Sequence, residues 1–417
     1  MRVLIVGKGG REHALAWKIS KSPILEELFC LNPNPGMQSL CKASDGEDII
    51  SFCKKRGIDL VIIGPENPIA EGLADRLLES GIGVFAPTKK ASKLEASKVF
   101  AKRLMERYGI PTASFEVFED IQKAKRFIKD FGAPLVIKAD GLAGGKGVFV
   151  CRDLNEALEA INILMSQDAF KGAGKKVVIE EFLEGKEASF IVLVNGERFL
   201  QLPTALDYKR LLDGDKGPNT GGMGAVSPNP YLNKELRSQV INKILTPLLG
   251  ALKSEGINYL GFLYIGLMLT KDGPKVLEFN VRLGDPETQA ILPRLEVDLL
   301  ELILNFMQGR DCKVLQKPEA CACAVLASEG YPLKVKDGRE IKGIETLSQD
   351  TLVFHAGTKL SNGKLHTSGG RVLNLCILDK DISALRAKLY GEIRKIYFEG
   401  MQYRKDIALF EEFSFDE

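Results

Sequence analysis

The chain has 417 residues, of which 45% are hydrophobic, so it is long enough to form two to four domains with buried cores. Its 57 lysine and arginine residues nearly balance its 55 aspartate and glutamate residues, which gives no reason to expect nucleic acid or an anionic membrane as a partner. The start of the chain runs into a glycine turn too early for a signal peptide, and no apolar run reaches membrane-spanning length. We therefore expect a cytoplasmic protein that binds small molecules.

The eight cysteines are spread through apolar segments and lack C-x-x-C spacing, which favours buried structural thiols. Cys321 and Cys323 lie in the apolar string ACACAVLA at a spacing that is typical of a buried strand and only weakly supports a metal site. The three histidines are not at metal-ligand spacing with one another.

The first segment predicts a βα unit that opens a parallel sheet. Arg2–Val6 has the pattern of a buried strand, Gly7–Gly10 that of a tight turn, and Arg11–Ser20 that of a helix. The turn partly matches the dinucleotide-binding fingerprint, but Glu12 stands in place of its third glycine. A nicotinamide-dependent oxidoreductase is therefore an alternative function with weak support.

The carboxyl ends of the first strands predict a ligand edge, since ligands of open α/β sheets bind there. Gly9, Gly10 and Arg11 at the start of the first helix suit a phosphate or carboxylate, although a plain turn explains them equally well. Residues 59–64, DLVIIG, predict another buried parallel strand, and Glu66 follows it. Glu66 could bind a hydroxyl or an amine, or it could only cap the next helix.

The most glycine-rich segment is KADGLAGGKGV, residues 138–148, which lies between two apolar strands and predicts a hairpin. Glycines leave backbone N–H groups free to surround an anion, and strand alternation places Lys138 beside the turn. Asp140 and Gly147 stand where a Walker A loop needs glycine and a hydroxyl residue. We expect a polyphosphate under a mobile lid, with a plain surface hairpin as the alternative. The turn contains Gly141, Gly144, Gly145, Lys146 and Gly147.

Other elements follow in this half of the chain. Residues 89–108 predict one long helix with Lys98 near its middle. Residues 177–185, VVIEEFLEG, predict a strand whose backbone can bind an adenine edge while apolar side chains cover its faces, and Glu187 can accept a ribose hydroxyl. A solvated acidic strand end is the alternative. The strand carries Glu180, Glu181, Phe182 and Leu183.

Residues 207–228 have no apolar periodicity, which predicts a functional loop or disorder. Asp207, Lys209 and Arg210 in this segment could close over a reacting centre. A hairpin follows, and its second strand reads KVLEFNVR, residues 275–282. Its period of two predicts one apolar and one polar face, which are Leu277, Phe279 and Val281, and Glu278, Asn280 and Arg282.

The polar face of that strand predicts a metal site. The oxygens of Glu278 and Asn280 suit hard cations of the Mg²⁺ type, and Arg282 beside them suits a developing anion. An exposed strand face is the weaker alternative, because GDPE at 284–287 extends the polar cluster. Further on, short strands and one helix predict a small β-rich domain, in which Arg371 beside two glycines could form a phosphate nest or only begin a strand.

The lysine before a glycine-rich hairpin, the EEFLEG strand and the EFN strand together resemble the ATP-grasp fold. From end to end the chain resembles the phosphoribosylamine–glycine ligases, also called glycinamide ribonucleotide synthetases. The strings that carry this resemblance are GKGGREHAL, DLVIIGPENP, KADGLAGGKGV, EEFLEGKEASF, GPNTGGMGA, LEFNVRLGDPETQ, FHAGT, TSGGRVLN and GMQYRKDI.

The resemblance implies a multidomain α/β and α+β protein. A Rossmann-like parallel sheet is expected at 1–101, an ATP-grasp domain at 102–318 with a mobile lid at about 114–190, and a β-rich domain at 319–417. It further implies that ATP, glycine and 5-phospho-β-D-ribosylamine give N1-(5-phospho-β-D-ribosyl)glycinamide, ADP and phosphate through glycyl phosphate, in the second step of purine synthesis. The implied cofactor is Mg²⁺ or Mn²⁺. A monomer is expected, with a possible transient contact to the amidotransferase that makes the amine.

The resemblance also implies roles for individual residues. Those for catalysis are Arg282, Lys138 and Asp207. Those for ATP are Lys98, Lys138, Gly144, Gly145, Lys146, Gly147, Glu180, Glu181, Phe182, Leu183 and Glu187. Those for phosphoribosylamine are Gly9, Gly10, Arg11, Glu66, Asp285 and Arg371, and those for the metal are Glu278 and Asn280. Another ATP-grasp ligase or a carboxylase, and a nucleotide sensor without activity, are the remaining alternatives.

Overall fold

The structure is a computed structural model that describes residues 1–44, 48–142, 147–166 and 173–410. In this part of the chain, four sheets of four or five strands and two short hairpins make up the β structure. None of the helices described is both long enough and apolar enough to cross a bilayer. The fold is the multidomain α/β and α+β arrangement that the sequence predicts.

The N-terminal region is a parallel sheet flanked by helices, as predicted. Its elements are β1 (Arg2–Val6), α1 (Gly10–Ile19), β2 (Glu27–Leu31), β3 (Lys42–Ser44), α2 (Ile49–Arg56), β4 (Leu60–Ile63), α3 (Glu66–Ala70), α4 (Leu73–Glu79) and β5 (Gly83–Phe85). The strand order is β3-β2-β1-β4-β5. Strands buried on both faces need continuous apolar runs, and β4 is buried throughout.

Two helices stand where the sequence predicted one over residues 89–108, so that prediction was wrong. They are α5 (Lys93–Ala96) and α6 (Lys98–Arg107). Ser97 between them is extended, with φ −137° and ψ 109°, and its hydroxyl accepts a hydrogen bond of 3.1 Å from Phe100 N. The same hydroxyl donates to Asp140 Oδ1 at 2.9 Å. Serine favours a helix N-cap over a helix interior, and here the cap turns Lys98 toward the lid.

The lid sheet is the antiparallel sheet of residues 115–181, with strand order β6-β9-β7-β8. Its elements are β6 (Phe115–Phe118), α7 (Ile121–Phe131), β7 (Leu135–Ala139), β8 (Val148–Cys151), α8 (Leu154–Ile161) and β9 (Val177–Glu181). The β7–β8 hairpin confirms the strands predicted around the glycine-rich turn. Gly144, Gly145 and Lys146 of that turn lie outside the described residues.

The central sheet has the antiparallel order β11-β10-β16-β17. The elements of this region are β10 (Lys186–Asn195), β11 (Arg198–Gln201), β12 (Leu206–Asp207), β13 (Arg210–Leu212), β14 (Lys216–Asn219), β15 (Gly224–Ser227), α9 (Lys234–Val240), α10 (Thr246–Ser254), β16 (Leu260–Thr270), β17 (Gly273–Asn280), α11 (Glu287–Ile291) and α12 (Leu299–Met307). The long strands β10 and β16 carry apolar residues on both faces. One face packs into each of two hydrophobic cores.

Strand β17 contains a bulge that corrects one predicted face. Glu278 pairs with Gly266 of β16, but the next β16 residue, Leu267, pairs with Val276, so Leu277 is left over. Val276 is fully buried in the core, whereas Leu277 lines the cleft described below. The prediction that Leu277 faces the core with Phe279 was therefore wrong, because an extra residue shifts the period of two.

Residues 207–228 form short strands and not a loop or a disordered segment, so that prediction was also wrong. Strands β12 and β15 pair with each other, and β13 pairs with β14 in a hairpin. Strand β15 also pairs with β18 (Ala320–Ala327) of the C-terminal region. The strands are two to four residues long, which is too short to give a periodic pattern in the sequence.

The C-terminal sheet has the order β12-β15-β18-β22-β19 and therefore takes two strands from before residue 319. The remaining elements are β19 (Leu352–His355), β20 (Thr358–Ser361), β21 (Lys364–Thr367), β22 (Arg371–Asp379) and α13 (Ile382–Ile393). Cys321 and Cys323 are fully buried strand residues of β18, and all eight cysteines are free thiols. Six of the eight cysteines are buried, as predicted, and Cys41 and Cys312 are only partly buried.

Candidate functional site

One cleft collects most of the residues that the sequence singled out. Its volume is about 960 Å³, and the lid sheet, the central sheet and residues of both terminal regions form its walls. A chamber of about 100 Å³ shares Lys138 and Glu278 with the cleft and adds Lys98 and Gly147. The predicted residues that line the cleft are Arg11, Glu66, Lys138, Glu180, Glu181, Phe182, Leu183, Glu187, Asp207, Glu278, Asn280, Arg282, Asp285 and Arg371.

Two lysines share a buried glutamate where the lid sheet meets the central sheet. Lys138 Nζ lies 2.9 Å from Glu180 Oε2 and donates a 2.9 Å hydrogen bond to the Leu277 carbonyl. Lys102 Nζ lies 3.2 Å from Glu180 Oε1, and burial lowers the pKa of Lys102 to about 8. These three charged side chains are at most 6% exposed. The cluster fixes the Lys138 ammonium group at the wall of the chamber.

The polar face of β17 meets these cations. Glu278 and Asn280 line both the cleft and the chamber, as the period of two predicts beyond the bulge. Burial opposes ionisation of Glu278, but the charges of nearby lysines, including Lys209 and Lys98, lower its pKa below the ordinary value. An ionised carboxylate and an amide therefore face the same space.

Arg282 continues this polar face and is held by two carboxylates. Its Nε lies 3.3 Å from Glu66 Oε2, and its other end lies 3.0 Å from Glu95 Oε1. Burial opposes the charge of Arg282, but Glu95 and Glu66 raise its pKa. Burial likewise opposes ionisation of Glu66, while Arg282 and Arg11 lower its pKa. The guanidinium is thus a fixed positive charge at the edge of the cleft.

Lys209 bridges two carboxylates across the central sheet. Its Nζ lies 3.2 Å from Glu187 Oε2 and 3.7 Å from Glu278 Oε1. Its main chain is held by Thr220, whose N and Oγ1 each donate a hydrogen bond of 2.8 Å to the Lys209 carbonyl. The segment predicted to close over a reacting centre therefore does place a cation in the cleft.

The strand predicted to bind an adenine edge is closed to a ligand along most of its length. β9 pairs with β6 on one side and with β7 on the other, up to Glu180 and Glu181. Glu181 N donates to the Ser114 carbonyl at 3.1 Å. Phe182 and Leu183 follow the end of the strand and line the cleft, with Phe182 37% exposed. A base in the cleft can therefore meet backbone groups of the residues that follow the strand, beginning with Phe182 and Leu183.

Asp207 lies in a buried polar network on the opposite wall. Its Oδ1 has no hydrogen-bond partner among the described residues, and burial together with Glu287 raises its pKa well above the ordinary value. Glu287 accepts a hydrogen bond of 3.0 Å from the Ser189 hydroxyl, which lies 3.0 Å from the Tyr264 hydroxyl. Asp207 is thus a carboxyl group with a raised pKa, and its Oδ1 is available to accept a hydrogen bond or a proton from a ligand.

Asp285 joins the N-terminal and C-terminal regions at the far end of the cleft. Its Oδ2 accepts a 3.3 Å hydrogen bond from Arg11 N, and its Oδ1 lies 3.3 Å from the Arg371 guanidinium. Arg371 also donates to the carbonyl groups of Asp285, at 2.6 Å, and of Gly221. Burial opposes ionisation of Asp285, but Arg371 and Arg11 lower its pKa. These contacts join segments that are up to 360 positions apart in residue number (371 − 11).

Gly9 and Gly10 do not line the cleft. Gly9 N donates a 2.6 Å hydrogen bond to Glu12 Oε2, and a Cβ on Gly10 would lie 2.4 Å from Asn374 Nδ2. Gly10 thus lets α1 pack against the C-terminal sheet. A Cβ on Gly64 would lie 2.1 Å from Glu12 Oε1, so the glutamate that breaks the dinucleotide fingerprint fills the space beneath the turn.

Three family descriptions match successive parts of the chain: the N domain of phosphoribosylglycinamide synthetase at residues 1–95, its ATP-grasp (A) domain at 96–288, and its C domain at 321–409. A phosphoribosylamine–glycine ligase from Caldanaerobacter subterraneus subsp. tengcongensis is 47% identical to this chain over 98% of the chain and 99% of the relative. The chain belongs to the phosphoribosylglycinamide synthetase family. This family consists of ATP-dependent carbon–nitrogen ligases of purine biosynthesis, so the protein is an enzyme of that class.

Other members of the phosphoribosylglycinamide synthetase family are similar along their whole length. A phosphoribosylamine–glycine ligase from Halalkalibacterium halodurans is 46% identical over 98% of this chain and 96% of the relative. The crystal structure of the Thermotoga maritima phosphoribosylamine–glycine ligase matches with a TM-score of 0.84 and 38% identity, over 97% of this chain and 100% of that one.

More distant structures share only the fold with this family member. A biotin carboxylase from Campylobacter jejuni matches with a TM-score of 0.73 at 15% identity, over 98% of this chain and 94% of that one. N5-carboxyaminoimidazole ribonucleotide synthetase from Thermotoga maritima matches with a TM-score of 0.64 at 17% identity, over 95% of this chain and 99% of that one.

Three residues around the chamber and the cleft carried no strong functional signal in the sequence: Lys102 and Glu95 line the chamber, and Glu287 lines the cleft. Lys102 and Glu95 lie within helices, where a buried charge looks like an ordinary surface residue. A weak signal in the sequence marks Glu287, since this residue ends the polar string GDPE that follows β17, the strand predicted to bind a metal. Only the folded chain shows that these side chains are 8% exposed or less.

Proposed function

We propose that this protein uses ATP to join glycine to 5-phospho-β-D-ribosylamine, giving N1-(5-phospho-β-D-ribosyl)glycinamide, ADP and phosphate in the second step of purine biosynthesis. The observation that carries the proposal is the cleft, which is large enough for ATP and places Lys138, Glu278 and Arg282 around one space. It occurs in a chain related to phosphoribosylamine–glycine ligases over 98% of its length.

ATP lies between the lid sheet and the central sheet in this proposal. Lys98 and Lys138 hold its phosphates, with the turn that ends at Gly147 closing over them, because ammonium groups and free backbone N–H groups suit phosphate oxygens. The adenine lies at Phe182–Leu183, where the strand's pairing has ended. Glu187 accepts from the ribose. The other residues assigned to ATP are Gly144, Gly145, Lys146, Glu180 and Glu181.

Glu278 and Asn280 would hold Mg²⁺ or Mn²⁺. The fit is good, because both donors are oxygens and the surrounding charges keep Glu278 ionised. Bound there with the nucleotide, the cation would offset charge on the phosphates. Glu278 would supply the negative charge of the site and Asn280 a neutral oxygen.

The first chemical step makes glycyl phosphate. A carboxylate oxygen of glycine attacks the γ-phosphorus, a new O–P bond forms, and the bond to ADP breaks. Arg282 stabilises the charge that moves between these oxygens, since a preorganised cation in a closed site acts without reorganisation. Glu66 and Glu95 keep its guanidinium in place. The lid keeps water away from the acyl phosphate.

The second step forms the amide. The amine of phosphoribosylamine attacks the glycyl carbonyl carbon, the C–N bond forms, the C–O bond to phosphate breaks, and the nitrogen loses one proton. Asp207 accepts that proton, because a carboxylate of raised pKa is a stronger base. The ribosyl phosphate lies at the junction of the terminal regions. The residues assigned to it are Gly9, Gly10, Arg11, Glu66, Asp285 and Arg371.

We further propose a cytoplasmic monomer that takes the labile amine from the amidotransferase in a transient contact. The domain division at residues 101 and 318 is kept as part of this proposal, with a lid at about 114–190. Two strands from residues 206–227 belong to the C-terminal sheet, so the segment that carries Asp207 and Lys209 connects the ATP-grasp and C-terminal domains.

A product assay tests the proposed function. ADP release should require both glycine and freshly made phosphoribosylamine, and the product should be the glycinamide. Turnover with bicarbonate in place of glycine would assign the chain to the carboxylases that share its fold. ATP binding with no ADP formed under any combination of substrates would favour a nucleotide sensor, and tight NADH binding would revive the oxidoreductase alternative.

A further inference from the structure

Glu187 and Glu278, the two carboxylates assigned to the ribose and to the metal, share one lysine. Glu187 is on β10 opposite Met268, and Glu278 is on β17 opposite Gly266, so β16 separates the two strands. Two strand spacings place their main chains roughly 10 Å apart. The Lys209 ammonium group spans this gap, at 3.2 Å and 3.7 Å from the two carboxylates.

The position of Lys209 is set by a different part of the fold. Lys209 lies between β12 and β13, and β12 belongs to the C-terminal sheet. Thr220 holds the Lys209 carbonyl with two hydrogen bonds of 2.8 Å. The lysine side chain is 24% exposed, so it reaches into the cleft and can change its position without unfolding its surroundings. A fixed main chain with a long side chain is suited to two alternative positions.

We propose that Lys209 is a built-in counter-ion, which neutralises Glu278 while the nucleotide site is empty and must leave that carboxylate when a divalent cation binds. This inference rests on the proposed function, because it takes Glu278 as the metal ligand. A second positive charge within about 4 Å of the same oxygen is repelled strongly at the edge of a protein interior. Lys209 and the divalent cation therefore compete for Glu278.

Nucleotide binding resolves this competition. The phosphates of ATP offer the displaced ammonium group a new partner at the moment when they also offer the cation more oxygen ligands. The divalent cation should therefore bind weakly to the empty protein and strongly with nucleotide. Lys209 acts on the reaction through the metal and is a positioning residue in this account.

Mn²⁺ titrations measured by electron paramagnetic resonance test the inference. They compare the parent, Lys209→Met and Lys186→Met, each without nucleotide and with a non-hydrolysable ATP analogue. Lys186 also lines the cleft, but its Nζ lies over Tyr231 at 5.2 Å from the ring centre. In the absence of nucleotide, Lys209→Met should bind Mn²⁺ about tenfold more tightly than the parent, and the enhancement by the analogue should shrink by the same factor. Lys186→Met should match the parent.

Two results would overturn the inference in different ways. Equal or weaker Mn²⁺ binding by Lys209→Met without nucleotide, in a protein whose parent binds Mn²⁺ with the analogue, would remove the counter-ion role and leave the metal site in place. Mn²⁺ binding that is absent from the parent even with the analogue, or is unchanged by Glu278→Gln, would overturn the metal site itself and the inference with it. Lys209→Arg, which keeps the charge, should behave as the parent does.

Discussion

The two ends of the cleft are built in different ways. At the nucleotide end, Lys138, Glu180 and Glu278 come from β7, β9 and β17, and each lies within a strong strand pattern. At the junction end, Arg11, Asp285 and Arg371 come from three separate regions and meet only through long-range contacts. Site residues that lie on a strand can be predicted from the local sequence pattern. Site residues that meet at a junction depend on how whole sheets are placed relative to one another. The same difference gives the two ends different sensitivities to substitution.

The largest effect should come from the nucleotide end, with Glu278→Gln. The amide keeps the shape of the side chain but removes the charge, so metal-dependent ADP release should fall roughly 1000-fold. Steady-state assays at several Mg²⁺ concentrations measure this. Thermal unfolding is the control. A variant that melts far below the parent would show that Glu278 is a structural residue and would contradict its role as a metal ligand.

At the junction end, Arg371→Met should raise KM for phosphoribosylamine by about 30-fold and leave the ATP affinity within about twofold of the parent. The variant removes the guanidinium that binds Asp285 and Gly221. Arg339→Met is a matched control, since Arg339 is a partly exposed residue of the same region that pairs with Glu399. An equal loss of ATP affinity in Arg371→Met would contradict the separation of the two ends.

The bulge in β17 predicts smaller effects, which differ between the adjacent residues Val276 and Leu277. Val276→Ala should lower the free energy of unfolding by about 2 kcal/mol, because Val276 is fully buried in the core. Leu277→Ala should lower it by less than about 1 kcal/mol and weaken ATP binding a few-fold, because Leu277 lines the chamber. Urea unfolding and nucleotide titration measure both. The reverse order would mean that the strand alternates without a bulge.

The smallest effect concerns acid stability near the junction. Burial lowers the pKa of His13 to about 3 and that of His355 to about 4, against 6.5 for an ordinary histidine. Below pH 6.5 the unfolded chain therefore binds more protons than the folded chain, and stability falls as the pH is lowered toward 4. Each histidine contributes a slope of up to about 1.4 kcal/mol per pH unit. His13→Gln should flatten the slope measured by urea unfolding between pH 7 and pH 5, and an unchanged slope would contradict the burial of its neutral ring.

Much of the fold could be predicted from local patterns. The strand Arg2–Val6 and the hairpin of β16 and β17 form where they were predicted, because an apolar pattern marks the strands and clear turn residues follow. The errors have local physical causes. Ser97 caps α6 in the middle of the single helix predicted over residues 89–108. Leu277 is an extra residue that forms the bulge in β17. Within residues 207–228, β15 pairs with β18 of the C-terminal region, a partner up to 100 residues away (324 − 224) that the local pattern does not reveal.

Some residues of the candidate site could likewise be predicted from local patterns, and others could not. Glu278 and Lys138 were found by strand alternation, which is a property of the segment itself. Lys102 and Glu287 were not predicted as site residues, because a buried charge is recognised only when its partner is known, and their partners Glu180 and Ser189 lie 78 and 98 residues away (180 − 102 and 287 − 189). Gly10 remains a proposed contact of the ribosyl phosphate, and its close packing against Asn374 was not predicted.

A crystal structure with Mg²⁺ and a non-hydrolysable ATP analogue tests the central claim most directly. The account predicts the cation at the oxygens of Glu278 and Asn280, the phosphates near Lys98 and Lys138, and the adenine against Phe182–Leu183. A cation bound away from β17, or a base bound at the Gly7–Gly10 turn, would contradict it.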